Sequence, residues 1–202
     1  MQVASLVVPT EGVAALVEPV LRIVLAKGYR RLDEPIRLAS GGWSSDYVDL
    51  KRGLADGPDL RVACEALLHV IEGAGVTYDA VGGLTLGADS LSHGCAVLSG
   101  TSWFVVRRRV KDHGTKRRIE GAAVGPGSRV VLLEDVVTTG SSILEALEAV
   151  REAGADAVLA AALVDRGAGA EHRLAAAGVP YASVLTHGDL GIEPVPASSE
   201  RA

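Results

Sequence analysis

Residues 130–142, VVLLEDVVTTGSS, constrain this chain more than any other stretch. Val130, Val131, Leu132 and Leu133 form a continuous apolar run, the pattern of a parallel strand covered on both faces. Two adjacent acids, Glu134 and Asp135, stand at its C-terminal end. Val136 and Val137 follow, then Thr138-Thr139-Gly140-Ser141-Ser142, a small turn of hydroxyls and glycine. That turn opens an amphipathic helix with Ile143, Leu144, Leu147 and Val150 on its apolar face. Backbone N–H groups at a helix start, with hydroxyls beside them, make a seat for a phosphate. Acids this close upstream cannot also ligate the phosphate, so they are expected to face hydroxyls or a metal ion. A phosphate at one end and a diol at the other describe a ribose 5-phosphate. An ordinary strand–turn–helix with solvated acids has the same local pattern. The chain has no GxxxxGK(S/T) and the turn has no GxGxxG, which excludes the Walker and Rossmann fingerprints.

The 202 residues, 48% of them hydrophobic, suit one domain with an appendage. We expect a single unit: an N-terminal helix and hairpin over 1–55, a core over 56–190 and a flexible tail over 191–202. No apolar run reaches the roughly 18 residues needed to span a bilayer, and the N-terminus has no basic n-region, so a soluble cytoplasmic protein is expected. Cys64 and Cys95 are isolated thiols that read as small buried residues. The net charge of −5 disfavours a general nucleic-acid binder. Yet seven of the twenty Lys and Arg lie between Arg107 and Arg118, and only four of the twenty are Lys.

Taken in order, residues 10–27 predict a helix capped by Thr10 and stopped by Gly28, which Pro19 kinks or divides. Residues 37–49 read as a β-hairpin around Ser40-Gly41-Gly42, which on its residues alone is simply a cover for the core. A strong helix is expected over 58–74 and a strand over 79–84. The strand runs into Thr85-Leu86-Gly87-Ala88-Asp89, a glycine-bearing turn before a short helix. The strand expected over 103–107 delivers a cationic segment, 107–121, with no hydrophobic period, so an exposed mobile loop is predicted. By charge alone, it is equally a solvated or RNA-contacting loop. Residues 157–164 predict another strand, ended by Asp165 and Arg166, then a short helix over 171–177 and a last strand over 181–185. Alternating strands and helices argue an α/β fold with a mostly parallel central sheet flanked by helices.

The 130–142 stretch resembles the motif with which type I phosphoribosyltransferases bind 5-phosphoribosyl 1-diphosphate (PRPP), and it does so over its whole length. Over roughly 35–190 the chain is similar to orotate phosphoribosyltransferases, with four motifs in the same order. Ser40, Gly41, Ser44, Tyr47, Asp49, Leu50 and Lys51 fit that family's hairpin. Arg107, Lys111, Asp112, His113, Gly114, Glu120 and Gly121 fit its catalytic loop. Asp165-Arg166 fits an Asp-Arg pair after the next strand. Departures are Ala39, Gly42 and Leu86 where many members carry a cation, Val48 where a second aromatic ring is usual, and Arg108 in place of a Lys.

The resemblance implies a type I phosphoribosyltransferase-like fold with a small N-terminal hood, and transfer of ribose 5-phosphate from PRPP to orotate with Mg²⁺. It implies catalytic roles for Arg107, Arg108, Lys111, His113 and Asp135. PRPP would be held by Glu134, Asp135, Val136, Val137, Thr138, Thr139, Gly140, Ser141 and Ser142. Leu84, Thr85 and Leu86 would form the pyrophosphate turn, through a strained and often cis peptide. Arg166, Thr138, Tyr47 and Val48 would hold orotate. Mg²⁺ would enter on PRPP, with Asp135 as the one candidate protein ligand. A homodimer sharing loop 107–121 across subunits is implied, with no nucleic acid or membrane partner. Two rivals within the fold are a phosphoribosyltransferase for another base or acid and a non-catalytic PRPP or nucleotide sensor. A nucleic-acid binder using the basic loop is the third.

Overall fold

The apolar run 130–133 lies inside β6 (Arg129–Val137), the longest segment of which is buried on both faces. The computed structural model describes residues 10–38, 41–108, 118–167 and 169–195, the first five of them as backbone only. Val131 and Leu133 point to one core cluster, and Val130 and Leu132 to another. This is why the strand reads as continuous apolar sequence rather than as alternation.

β6 pairs in parallel with β3 (Ala80–Leu84) on one side and β7 (Asp156–Asp165) on the other. β4 (Ser102–Val106) extends the sheet beyond β3, and β8 (Tyr181–Thr186) extends it beyond β7. A short antiparallel edge strand, β5 (Ile119–Gly121), completes the order β5-β4-β3-β6-β7-β8. One face is covered by α1 (Thr10–Ile23), α3 (Gly57–Gly73) and α4 (Asp89–Ser99), and the other by α5 (Ser141–Glu152) and α6 (Ala170–Ala176). On α3, Ala63, Leu67, Val70 and Ile71 recur at three and four and are all buried. Burial of each such Leu or Ile contributes about 1.5–3 kcal/mol relative to exposure.

The hood consists of α1, the hairpin of β1 (Tyr29–Arg37) and β2 (Trp43–Val48), and α2 (Leu50–Gly53). Gly28 permits the close fold-back, since a methyl there would sit 2.9 Å from Leu50 Cδ2.

The structure differs from sequence expectation at several points. The N-terminal helix passes through Pro19 undivided and ends at Ile23, followed by a π-helical turn over Val24–Gly28. The hairpin's first strand begins at Tyr29, well before residue 37, because Arg30, Arg31, Asp33, Glu34 and Pro35 hide a strand that is exposed along most of its length. The end of the cationic segment is not loop. Residues 119–121 pair with β4, and Arg107 N–H donates to Arg118 O at 2.8 Å. Ala39, Ser40 and residues 109–117, with Lys111, Asp112, His113 and Gly114, lie outside the described residues. Val195, expected in the tail, is buried, and its N–H donates to Arg166 O at 2.9 Å. Cys64 and Cys95 are buried, as expected.

Candidate functional site

The C-terminal ends of β3, β4, β6 and β7 deliver the turn at 85–87, Arg107-Arg108, the acids with their hydroxyl turn, and Arg166 to one edge of the sheet. Ligands bind at that edge in open α/β sheets, where strand order reverses.

Glu134 and Asp135 are within β6 rather than after it, and both are almost fully buried. Their carboxylates nevertheless converge on the turn after β3. A methyl on Gly87 would lie 2.5 Å from Glu134 Oε1 and 2.6 Å from Asp135 Oδ1. Only glycine lets that backbone approach. Asp135 Oδ1 accepts from Val136 N–H at 2.8 Å. Glu134 Oε2 is buried and has no hydrogen-bond partner among the described residues. Burial raises the Glu134 pKa well above the usual carboxylate range, reinforced by the Asp135 charge and a hydrogen bond between the two, while Arg108 and Lys51 pull it down. A carboxyl held this way gains from a hydroxyl donor or a cation.

Gly140, at φ +75°, is the N-cap of α5 and turns the chain so that the helix begins at Ser141. Thr139 Oγ1 and Ser141 Oγ share a 2.8 Å hydrogen bond. A cavity of about 180 Å³ opens over this turn, lined by Thr138, Thr139, Gly140, Ser141, Ser142 and, from above, Arg108. Arg108 donates to Ser142 Oγ at 3.5 Å and pairs with Glu145 at 3.6 Å. Arg107 pairs with Glu120 at 3.1 Å. In the turn after β3 the Thr85–Leu86 peptide is cis, Leu84 is buried, and Leu86 is 73% exposed.

Arg166 is 2% exposed. Its Nη1 donates to Asp46 O at 3.1 Å and its Nη2 to Ser44 Oγ at 3.3 Å, so it ties the hood to the core. Two of five N–H donors are thereby used, and Nε is buried without a partner among the described residues. Burial lowers the Arg166 pKa, against the pull of Asp46. Tyr47 and Val48 are brought to the hood strand, but alternation sends them to opposite faces. Val48 packs against the core, and the Tyr47 ring lies 4.9 Å beneath the Arg30 guanidinium.

Sequence reasoning missed Asp46, whose buried carboxylate accepts from Tyr29 OH at 2.8 Å and Arg31 Nη1 at 2.9 Å. It saw Lys51 only as part of a pattern. Lys51 Nζ stands 3.4 Å from Asp49 and 3.7 Å from Asp135. No local signal announces the contacts of Asp46 with Tyr29 and Arg31 or of Lys51 with Asp135, because those partners come from separate elements.

Among the described residues, no group of three or more His, Cys, Asp or Glu could hold a metal ion unaided. Mg²⁺ does not need one: it is commonly bound by one or two carboxylates plus substrate phosphates. Asp135 and the unpartnered Glu134 oxygen fit that donor set.

Buried acids on a central parallel strand, followed by a hydroxyl turn at a helix start, define the type I phosphoribosyltransferase class of α/β proteins. The family model for the phosphoribosyl transferase domain matches residues 96–179. The orotate phosphoribosyltransferase of Streptomyces coelicolor is 43% identical over 164 residues, covering 78% of this chain and 88% of that protein. That of Aquifex aeolicus is 38% identical over 179 residues, covering 86% and 96%. The crystal structure of Mycobacterium tuberculosis orotate phosphoribosyltransferase in complex with PRPP superposes with a TM-score of 0.68 at 35% identity, covering 89% of this chain and 99% of that one. The chain belongs to the orotate phosphoribosyltransferase family.

Proposed function

We propose that this protein transfers the ribose 5-phosphate of PRPP to orotate, giving orotidine 5′-monophosphate and pyrophosphate. The observation that carries the reading is the joint one: a buried acid pair on β6, a hydroxyl turn opening α5, and a buried arginine directly after the neighbouring strand β7.

The C1–pyrophosphate bond breaks toward an oxocarbenium-like transition state, so catalysis consists of holding the ribose, the leaving group and the base in line. In this reading residues 137–142 take the 5′-phosphate, and Glu134 and Asp135 the ribose hydroxyls. Mg²⁺ carried on PRPP, with Asp135 as candidate ligand, would neutralise diphosphate charge. Arg107, Arg108, Lys111 and His113 are assigned to the leaving pyrophosphate, beside the turn of Leu84, Thr85 and Leu86. The remaining donors of Arg166 are assigned to the orotate carboxylate, with Thr138 and Tyr47 beside the ring; Val48, which packs on the core from the opposite face of its strand, is withdrawn from that role. Guanidinium–carboxylate pairing selects an acidic pyrimidine over uracil.

We further assign a cytoplasmic homodimer sharing loop 107–121. Val97, 82% exposed beside a hollow of about 320 Å³ lined by Leu60, His93, Gly94 and Leu98, supports an apolar contact face. No helix among the described residues is long and apolar enough to cross a membrane.

The test is orotate consumption followed by absorbance with PRPP, with and without Mg²⁺, and with uracil as a competing acceptor. Turnover on orotate alone that chelation abolishes is expected. Turnover on another acceptor, or PRPP binding without turnover, would overturn the reading. An Arg166→Ala variant with an unaltered orotate KM would refute the carboxylate contact.

A further inference from the structure

The turn that seats the phosphate is gripped from outside by an arginine that the family pattern did not single out. α6 lies against this turn, and a methyl on Gly140 would come within 3.4 Å of Ala170 Cβ. Three residues further along the helix, on the same face, stands Arg173. Its Nη1 donates to Thr139 O at 2.7 Å and to Ser141 Oγ at 3.1 Å. Thr139, Gly140 and Ser141 line the 180 Å³ cavity while Arg173 does not, so the guanidinium reaches the turn from the side away from the cavity.

We infer that Arg173 is a positioning residue for the 5′-phosphate, fixing the peptide and hydroxyls that cradle a phosphomonoester dianion. This rests on the phosphate seat of the proposed function and deepens it. Thr139 C=O and Gly140 N–H belong to one peptide and point in opposite directions. Holding the carbonyl toward Arg173 therefore turns the N–H away from α6 and keeps an oxygen from facing the anion. The hold matters because the peptide adjoins Gly140, whose backbone is the freest in the turn. Arg173 is a donor only, so Ser141 Oγ accepts from it. The Thr139–Ser141 bond uses one hydroxyl proton, which leaves the other for a phosphate oxygen. Both acceptors of Arg173 are neutral oxygens, so its positive charge stays beside the seat.

The experiment compares wild type, Arg173→Met and Arg173→Lys by calorimetric binding of ribose 5-phosphate, by KM for PRPP and for orotate, and by thermal unfolding. Arg173→Met should weaken ribose 5-phosphate binding and raise the PRPP KM about tenfold, the scale of a lost charge-assisted hydrogen bond, with orotate KM, kcat and Tm nearly unchanged. Arg173→Lys should recover part of the loss. An unchanged ribose 5-phosphate affinity in Arg173→Met would overturn the inference. So would a parallel fall in Tm with both KM values raised together, which is the mark of a merely structural role. Ribose 5-phosphate binding needs no acceptor base. If wild type bound it without turning over orotate, the acceptor assignment would fail and Arg173 would still be decided. If wild type bound neither, both would fall.

Discussion

Lys51 Nζ stands 3.7 Å from Asp135 Oδ2, across the seam between hood and core. Burial works against the Lys51 charge, but Asp135 and Asp49 outweigh it and raise its pKa. The ammonium is about half exposed, so solvent screens the pair and its effect on stability is small. Its effect on the ribose seat should be larger, because it offsets two crowded acids. Lys51→Ala is expected to raise the PRPP KM about threefold, more at low than at high salt, with little change in Tm. Initial-rate measurements at two ionic strengths check this.

Gly87 is where the turn after β3 meets both acids. Gly87→Ala inserts a methyl against Glu134 and Asp135, and overpacking of this kind costs about 1–3 kcal/mol. The PRPP KM should rise roughly tenfold or more, since each 1.4 kcal/mol is about a factor of ten. Gly57→Ala, which meets nothing within 4 Å, serves as the control and should be nearly silent.

Arg166→Lys keeps a charge but loses the fork that reaches Asp46 O and Ser44 Oγ. The orotate KM should rise about tenfold, with a smaller change for PRPP, whose proposed seat is on β6. Equal changes for both substrates would mean that Arg166 serves only to hold the hood.

Lys27 joins the hood to the start of α3, bonding Asp56 at 2.8 Å and also Asp59. Hydrogen bonds to Asp56 and then to Asp59 push its pKa from 10.5 up to about 12. Folding therefore favours the protonated lysine. The contribution is fully present below pH 10.5 and is lost as pH rises through about 12. Denaturant unfolding of wild type and Lys27→Met should differ below that window and converge above it.

Leu133 on β6 is fully buried. Leu133→Ala should cost about 2–5 kcal/mol in denaturant unfolding, from lost transfer energy plus the cavity left behind. Because Glu134 follows it directly, a raised PRPP KM should accompany the loss.

The central strand, the hydroxyl turn and α5 are local patterns, and each was legible residue by residue. The run 130–133 reads as buried because both faces are covered, and Gly140 marks the turn because it stands at φ +75° where the helix starts. The strand over 29–37 was not legible. A hood strand facing solvent along most of its length carries charges and a proline, so alternation is lost and only pairing with β2 defines it.

The sequence by itself determined the order of the main core elements, the acid pair and the hydroxyl turn, and the placing of Arg166 at a strand end. Those are set by short-range periodicity, capping and turn chemistry. Only the tertiary structure decided what these groups meet: Gly87 under both carboxylates, Lys51 on Asp135, Arg166 under the hood hairpin and Arg173 behind the hydroxyl turn. It also decided that Tyr47 and Val48 part to opposite faces and that Val195 packs inward. The contacts of Arg173 and Arg166 join residues from 32 to 122 positions apart. Side-chain reach and burial fix them once the sheet has formed, and neither is written in local periodicity.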